Sequence, residues 1–399
     1  MHLVVVSHKI CWPLDAAIPK FATDGGFPVQ MEAISELFAQ TTIVVPCHND
    51  APPTGLSPLA GNNLNVFPLR VPKGTGWRRK IDMLTWIFRN GLPLWRQIRL
   101  ADAVHAPIPG DVGTIGMIFA LLQKKPLLVR HCGNWLVQRT YAERFWKWSM
   151  EYFAGGRNVM FATGGSSEPP SRSNPNIKWI FSTSLRQEQF ANSTPRSLPV
   201  NGKLKLIIAC RQEPRKGTDV VIESLPAILK AFPKASLDII GDGSLIDSLR
   251  QRVELLGLSK CVTFHGRIEQ GGVIDLLKEA HLFCYPTSAS EGFPKVVLEA
   301  LASGLPVIST KVSVLPELIG SGPGILLEKA DAAQLASAVI ELASDNTAYS
   351  RMSDKAAETA QNYSLEKWRD LIGETVREAW KVPSLASKPV GFDTAREHS

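Results

Sequence analysis

With 399 residues, 44% of them apolar, the chain can bury two ordinary cores, and two domains are expected. Its six cysteines (11, 47, 132, 210, 261 and 284) include no Cys-x-x-Cys pair, and no histidine cluster stands at metal spacing, which excludes a disulfide framework or zinc site and points to reduced thiols inside a cell. The net charge of +7 sits in the first half, where residues 1–200 carry 21 Lys and Arg against 12 Asp and Glu. A negatively charged partner (membrane surface, acidic glycan or lipid phosphate) would favour that half, although a merely solvated basic surface has the same composition.

Residues 2–7 read as an apolar strand, without the basic and long apolar regions of a signal peptide, and no run has the length of a membrane-spanning helix. Asp24-Gly25-Gly26-Phe27-Pro28 then opens a helix reaching Phe38. Glycines at a helix mouth let backbone come close to a phosphate or sugar, so Gly25 and Gly26 are candidate ligand-binding positions, with an ordinary turn as the alternative. Strands are expected at 42–46 and 64–69. Residues 73–99 hold Lys73, Arg78, Arg79, Lys80, Arg89, Arg96 and Arg99 against the single acid Asp82, interleaved with Trp77, Trp86, Phe88 and Trp95. That mixture suits the boundary between water and anionic headgroups, and the segment is expected to dock on a membrane; the competing reading packs its tryptophans into the core. No nucleic-acid signature accompanies it.

A strand ends at 103–107 and a helix covers 110–122. The strand 126–131 runs into Cys132-Gly133, and ligands of open α/β sheets sit beyond such strand ends, which makes His131 a candidate and His105 a weaker one. An amphipathic helix is expected over 135–153, and strands at 158–162 and 177–181 flank a loop rich in Gly, Ser and Pro. Ser193 to Gly202 reads as a linker. A new alternation starts at 204–210, followed by Arg211-Gln212-Glu213-Pro214-Arg215-Lys216-Gly217 and a helix from Thr218. Strand, basic loop and helix describe an anion site in which Arg211 grips an oxyanion and Lys216 adds a point charge. Such short apolar strands alternating with helices mark parallel α/β sheets.

The chain is organised around Glu291-Gly292-Phe293-Pro294-Lys295 and the helix that follows as far as Gly304, between strands at 281–286 and 305–309. Pro294 suits a helix start and Gly304 the position just past a helix end. The helix mouth offers free N–H groups and partial positive charge to a phosphorylated ligand, whereas Glu291 and Glu299 would accept hydrogen bonds from its hydroxyls. Segments 314–318 and 324–327 are expected to close the sheet, with helices at 331–344, 347–361 and 364–380 and a disordered tail at 382–399.

Glu291 and Glu299, with seven residues between them and followed by Ala-Ser-Gly-Leu-Pro-Val-Ile-Ser, resemble the donor-binding motif of retaining GT-B glycosyltransferases of the GT4 family (group 1). The resemblance is clear over 204–361 and diffuse over 1–200. It implies an α/β, GT-B fold: two doubly wound Rossmann-like domains facing a central cleft, with an acceptor-side domain at 1–200, a donor domain at 201–363 and a helix at 364–381 crossing back onto the first. It implies retaining, metal-independent transfer from a nucleoside diphosphate sugar to a glycan or lipid-linked acceptor, in cell-surface polysaccharide or glycolipid synthesis, without a cofactor and at the cytoplasmic face of a membrane.

By the same resemblance, Arg211 and Lys216 hold the diphosphate, the loop being about one residue short of the common form so that Arg215 could replace Lys216. Glu291 meets the donor sugar, Glu299 the ribose, and His131 the sugar and acceptor. Gly241 lies in a turn facing the nucleotide, Ile268 contacts the base, and Gly292 and Phe293 supply the helix mouth. One departure stands out. Phe181-Ser182-Thr183-Ser184-Leu185 replaces the family's usual Asn-Gly-Val-Asp loop, which puts the interdomain contacts in question. A sugar-nucleotide epimerase, a phosphorylase or a non-catalytic glycan-binding protein are the alternatives.

Overall fold

The computed structural model describes residues 1–14, 21–48, 50–74, 76–138, 140–190, 196–199 and 202–383, without the side chains of Trp77 and Lys80. Much of the linker expected at 193–202, nearly all of the tail expected at 382–399, and Arg139 lie outside these residues. The first half runs β1 (His2–Val6), β2 (Trp12–Pro13), β3 (Phe21–Thr23), α1 (Phe27–Ser35), β4 (Gln40–Pro46), β5 (Ser57–Pro58), β6 (Leu64–Leu69), α2 (Gly76–Leu100), β7 (Ala103–Ile108), α3 (Asp111–Leu122), β8 (Leu127–His131), α4 (Tyr141–Phe153), β9 (Asn158–Thr163) and β10 (Ile177–Ile180). Seven of these strands form a parallel sheet in the order β10-β9-β8-β7-β1-β4-β6, and β2, β3 and β5 make a small antiparallel one. The central strands are buried along their whole length, which is why they read as unbroken apolar runs.

The second half runs β11 (Lys205–Ala209), α5 (Thr218–Ala231), β12 (Ser236–Ile240), α6 (Ile246–Leu255), β13 (Val262–Gly266), α7 (Gln270–Glu279), β14 (Leu282–Tyr285), α8 (Lys295–Ala302), β15 (Val307–Thr310), α9 (Leu315–Ile319), β16 (Gly324–Leu327), α10 (Ala332–Ser344), α11 (Asn346–Ala360) and α12 (Leu365–Trp380). Its sheet has the order β13-β12-β11-β14-β15-β16, all parallel. Residues 314–318, expected as a strand, instead lead into α9: Pro316 sits in its first turn and Glu317 beside it, both suited to a helix start. The amphipathic helix expected from 135 begins only at Tyr141. Thr140 fixes that start through a capping box, its hydroxyl accepting from Glu143 N at 3.2 Å while the Glu143 carboxylate accepts from Thr140 N at 2.8 Å.

The chain's last helix does not stay with the second sheet. Ser364 caps α12, and Trp368, Ile372 and Val376 bury in the core that Met31, Ile34 and Ile43 build on the first sheet. Arg369 pairs with Glu36, and the Phe38 and Trp380 rings lie 6.2 Å apart. The departing loop after β10 also ties the halves together: Thr183 O accepts from Gln30 Nε2 at 2.8 Å, Ser184 Oγ contacts Lys295 Nζ at 3.1 Å, and Leu185 O accepts from Leu365 N at 2.8 Å.

Candidate active site

Each large sheet reverses its strand order once, between β1 and β7 in the first and between β11 and β14 in the second. Ligands of doubly wound sheets bind beyond the strand ends at such reversals. In the second sheet the loops there are 210–217, after β11, and 286–294, after β14. Topology therefore sets Lys216 against Glu291, and the two side chains form an ion pair, with Lys216 13% and Glu291 28% exposed. Tyr285, at the end of β14, donates to the same carboxylate at 2.6 Å, and Ser313 donates to the Glu291 carbonyl. Burial, with the Glu291 charge acting the same way, pushes the Tyr285 phenol far up, so it remains a donor.

Gly292 and Phe293 bring the chain into α8, whose capping residue Pro294 provides no side-chain cap for the first turn. That end is thereby left for a ligand. Gly304 closes the other end at φ +69°, and Leu298 and Leu301 bury in the second core, each stabilising by about 1.5–3 kcal/mol.

Arg211 is exposed at the rim, whereas Arg215 turns away: it has φ +73°, its guanidinium donates to Ser288, and its carbonyl accepts from Ser288 N at 2.9 Å. Arg215 thus braces the 286–290 loop and does not replace Lys216. Gly241 has no room for a side chain, since a Cβ there would collide with the Cys210 carbonyl, so the 241–243 turn lies directly on the basic loop. Ile268 follows β13, and two residues later Gln270 Nε2 donates to Glu299 Oε1 at 2.7 Å. Burial raises the Glu299 pKa against the effects of that hydrogen bond and of the nearby Lys295 charge.

The first domain supplies the facing wall. Gly292 lies against Gly133 and Gly164, Asn134 Nδ2 donates to Ser290 O at 3.2 Å, and Ser167 N donates to Glu317 Oε1 at 2.9 Å. His131 is 3% exposed, stands edge-on to Trp135 at 5.4 Å, and has no partner for Nδ1. Burial lowers its pKa to about 4, so the imidazole is neutral at physiological pH. His105 has no such place: it is fully buried, with Nδ1 3.0 Å from Leu128 O, and serves the core. Gly25 and Gly26 form the turn before α1, and Lys9 pairs with Asp24 beside them. Sequence reasoning missed Tyr285, Lys295, Arg130 and Ser184. A charged residue inside the apolar strand Leu127-Leu128-Val129-Arg130 was the one available signal. Among the described residues no group of three or more His, Cys, Asp or Glu side chains gathers as metal ligands would.

Residues 190–359 match the family model described as glycosyl transferases group 1. That match lies almost wholly in the second half of the chain, and the fold is GT-B. The chain is 28% identical over 191 residues to a phosphatidyl-myo-inositol mannosyltransferase of Mycobacterium leprae, covering 48% of this chain and 50% of the relative. It is 35% identical over 147 residues to a GDP-mannose-dependent monoacylated alpha-(1-6)-phosphatidylinositol monomannoside mannosyltransferase of Corynebacterium glutamicum, covering 35% and 38%. The matched part thus spans half the length, or less, of these curated relatives. Among solved structures, HepE of Anabaena in complex with UDP and glucose superposes with a TM-score of 0.68 at 16% identity, covering 95% of this chain and 100% of that one. A glycosyltransferase from Rickettsia africae gives 0.67 at 15%, covering 96% and 99%. At these identities the likeness is one of fold.

Proposed function

We propose that this protein is a group 1 glycosyltransferase, a retaining, metal-independent hexosyltransferase that moves a sugar from a nucleoside diphosphate sugar to a glycan or lipid-linked acceptor. The observation that carries the reading is the Lys216–Glu291–Tyr285 cluster at the mouth of α8, set where the two sheets' strand ends face each other. Charge grows on the departing diphosphate as the glycosidic bond breaks. Lys216, Arg211 and the α8 N-terminus favour that charge more in the transition state than in the ground state. Two cations and a helix end do here what a divalent ion does elsewhere. Glu291, Gly292 and Phe293 meet the sugar, Glu299 the ribose, and Ile268 the base. No carboxylate stands out as a covalent nucleophile, so the acceptor attacks from the face the diphosphate leaves, with neutral His131 beside it.

Incubation with labelled UDP- and GDP-sugars and lipid-linked acceptors tests this: transfer is expected, with the anomeric configuration kept and full rate in EDTA. Loss of turnover in EDTA rejects metal independence, and release of an epimerised or phosphorolysed sugar rejects transfer.

The mannosyltransferase relatives support a membrane-bound acceptor, and so does the surface of the first domain. Two tryptophans of α2 do not face outward as the lipid reading expected: Trp86 is buried, donating to Arg70 O, and Trp95 stacks edge-on with Phe119 at 5.2 Å. Ile81, Leu84, Phe88 and Leu92 are exposed in their place, on one stripe, with Phe88 89% exposed. Trp148 and Tyr152 of α4 are exposed as well, and Arg89, Arg96 and Arg99 are exposed along α2. No helix among the described residues is long and apolar enough to cross a membrane. We assign this face to an anionic bilayer, where each basic residue near the surface adds about 1 kcal/mol. Flotation with vesicles containing anionic lipid is expected to carry the wild type upward and to leave the Phe88→Asp/Arg89→Glu/Arg96→Glu variant behind; equal flotation of both removes the assignment.

A further inference from the structure

Two of three positive features meet at Gly26 and the other bears on one of them, with no carboxylate among the described residues in an ion pair with any of the three. The first is Lys295, in the opening turn of α8, whose Nζ would lie 2.8 Å from a Cβ placed on Gly26 and donates to Ser184 Oγ at 3.1 Å. The second is Arg130 on β8, 4% exposed, with Nε and Nη1 buried and unpartnered; its guanidinium sits 4.8 Å above the Trp368 ring, and its charge bears on Lys295. The third is the start of α1, where Gly26 caps without a side chain and Pro28 occupies the first turn. Glu299 lies near Lys295 but forms no ion pair with it, its carboxylate being held by Gln270. Burial and the Arg130 charge together lower the Lys295 pKa to about 8.

Buried cations are normally paired, because an isolated charge out of water is costly. Here the pairing anion has to come from outside the chain, and it has to fit between the two domains. We infer that Lys295, backed by Arg130, binds a phosphate of the donor's diphosphate and holds it against the Gly25–Gly26 turn. This rests on the nucleotide-sugar reading above and adds to it two residues that lie outside the Glu-x7-Glu motif positions and the basic loop. Lys216 and Arg211 approach the diphosphate from the second domain alone. Lys295 reaches across to the first, where Arg130 stands, so the diphosphate becomes the piece that both halves share. Lys295 then exchanges its contact with Ser184 for a charge-assisted one with phosphate.

Titration calorimetry on the full chain tests this with UDP, GDP, ADP and TDP and with the corresponding nucleosides. For whichever diphosphate binds the wild type, Lys295→Met is expected to weaken it about tenfold or more, the effect of losing one charge-assisted hydrogen bond. The nucleoside's affinity is expected to stay the same, and Lys295→Arg to bind diphosphate within about threefold of wild type. An unchanged diphosphate affinity in Lys295→Met overturns the inference and leaves the enzyme reading standing. Equal weakening of diphosphate and nucleoside also overturns it, showing Lys295 to be a latch between domains. If the wild type binds none of the four diphosphates, the nucleotide-sugar reading falls and takes this inference with it.

Discussion

Replacing Lys216 by alanine is expected to lower the rate of transfer at saturating donor by about 10²- to 10³-fold, the range found when one preorganised charge-stabilising donor is removed from an active site. The size follows from its surroundings. Lys216 is mostly shielded from water, and the Gly217 turn that ends its loop packs under the Pro286 carbonyl, so the ammonium is held in place before any ligand arrives. A cation so fixed loses little by reorganising as charge develops on the leaving group. Its partner in the structure is Glu291, the carboxylate proposed to meet the donor sugar. Lys216→Ala also leaves the Glu291 carboxylate with only the Tyr285 hydroxyl recorded as a side-chain donor, so some loss of donor affinity is expected, smaller than the loss of rate. Steady-state kinetics separates the two effects. Near-wild-type turnover in Lys216→Ala would remove the residue from the chemistry and with it the cationic substitute for a metal.

How much of this was legible beforehand depends on whether the signal was local. The α8 region was, because Pro294 before and Gly304 after punctuate an eight-residue apolar helix between two apolar strands. The reversal of strand order that sets 210–217 beside 286–294 follows from a doubly wound sheet, and that class was readable from the alternation of strands and helices. Other features were not local. A run such as Val314-Leu315-Pro316-Glu317-Leu318 has the composition of a short strand and becomes a helix through its position between β15 and β16. The two-residue strands β2 and β5 are too short to leave a pattern, and Pro93 inside the 25-residue α2 imitates a break.

The places of Trp86 and Trp95 are illegible for a related reason: composition gives the residues of an amphipathic helix but not which stripe the core takes. Arg130 and Lys295 illustrate the limit most clearly. Separated by 164 intervening residues, they meet only because two domains close on each other, and nothing in either local sequence announces that.

That closure gives the second large effect. Gly292→Ala is expected to cut turnover about 100-fold while the affinity for the nucleoside, without its diphosphate, changes less than about threefold and the unfolding temperature stays where it was. A Cβ on Gly292 would stand 2.7 Å from the Gly133 carbonyl oxygen and 3.4 Å from that of Thr163. Both are backbone atoms, Thr163 closing β9 in register with Ile180 and Gly133 standing two residues past β8, so neither can swing aside as a side chain would. The two domains must part instead. The nucleoside contacts assigned to Ile268 and Glu299 both lie in the second domain and move together, which is why nucleoside binding should survive. His131 and the Gly133 wall belong to the first domain and would recede from the sugar. A displacement near 1 Å at the reacting centre is enough for a loss of this order. Each domain keeps its own core, so stability should not change. Wild-type turnover in Gly292→Ala would show that transfer does not need the contact between these two carbonyls and Gly292, and the acceptor would then have to be placed without help from the first domain's wall.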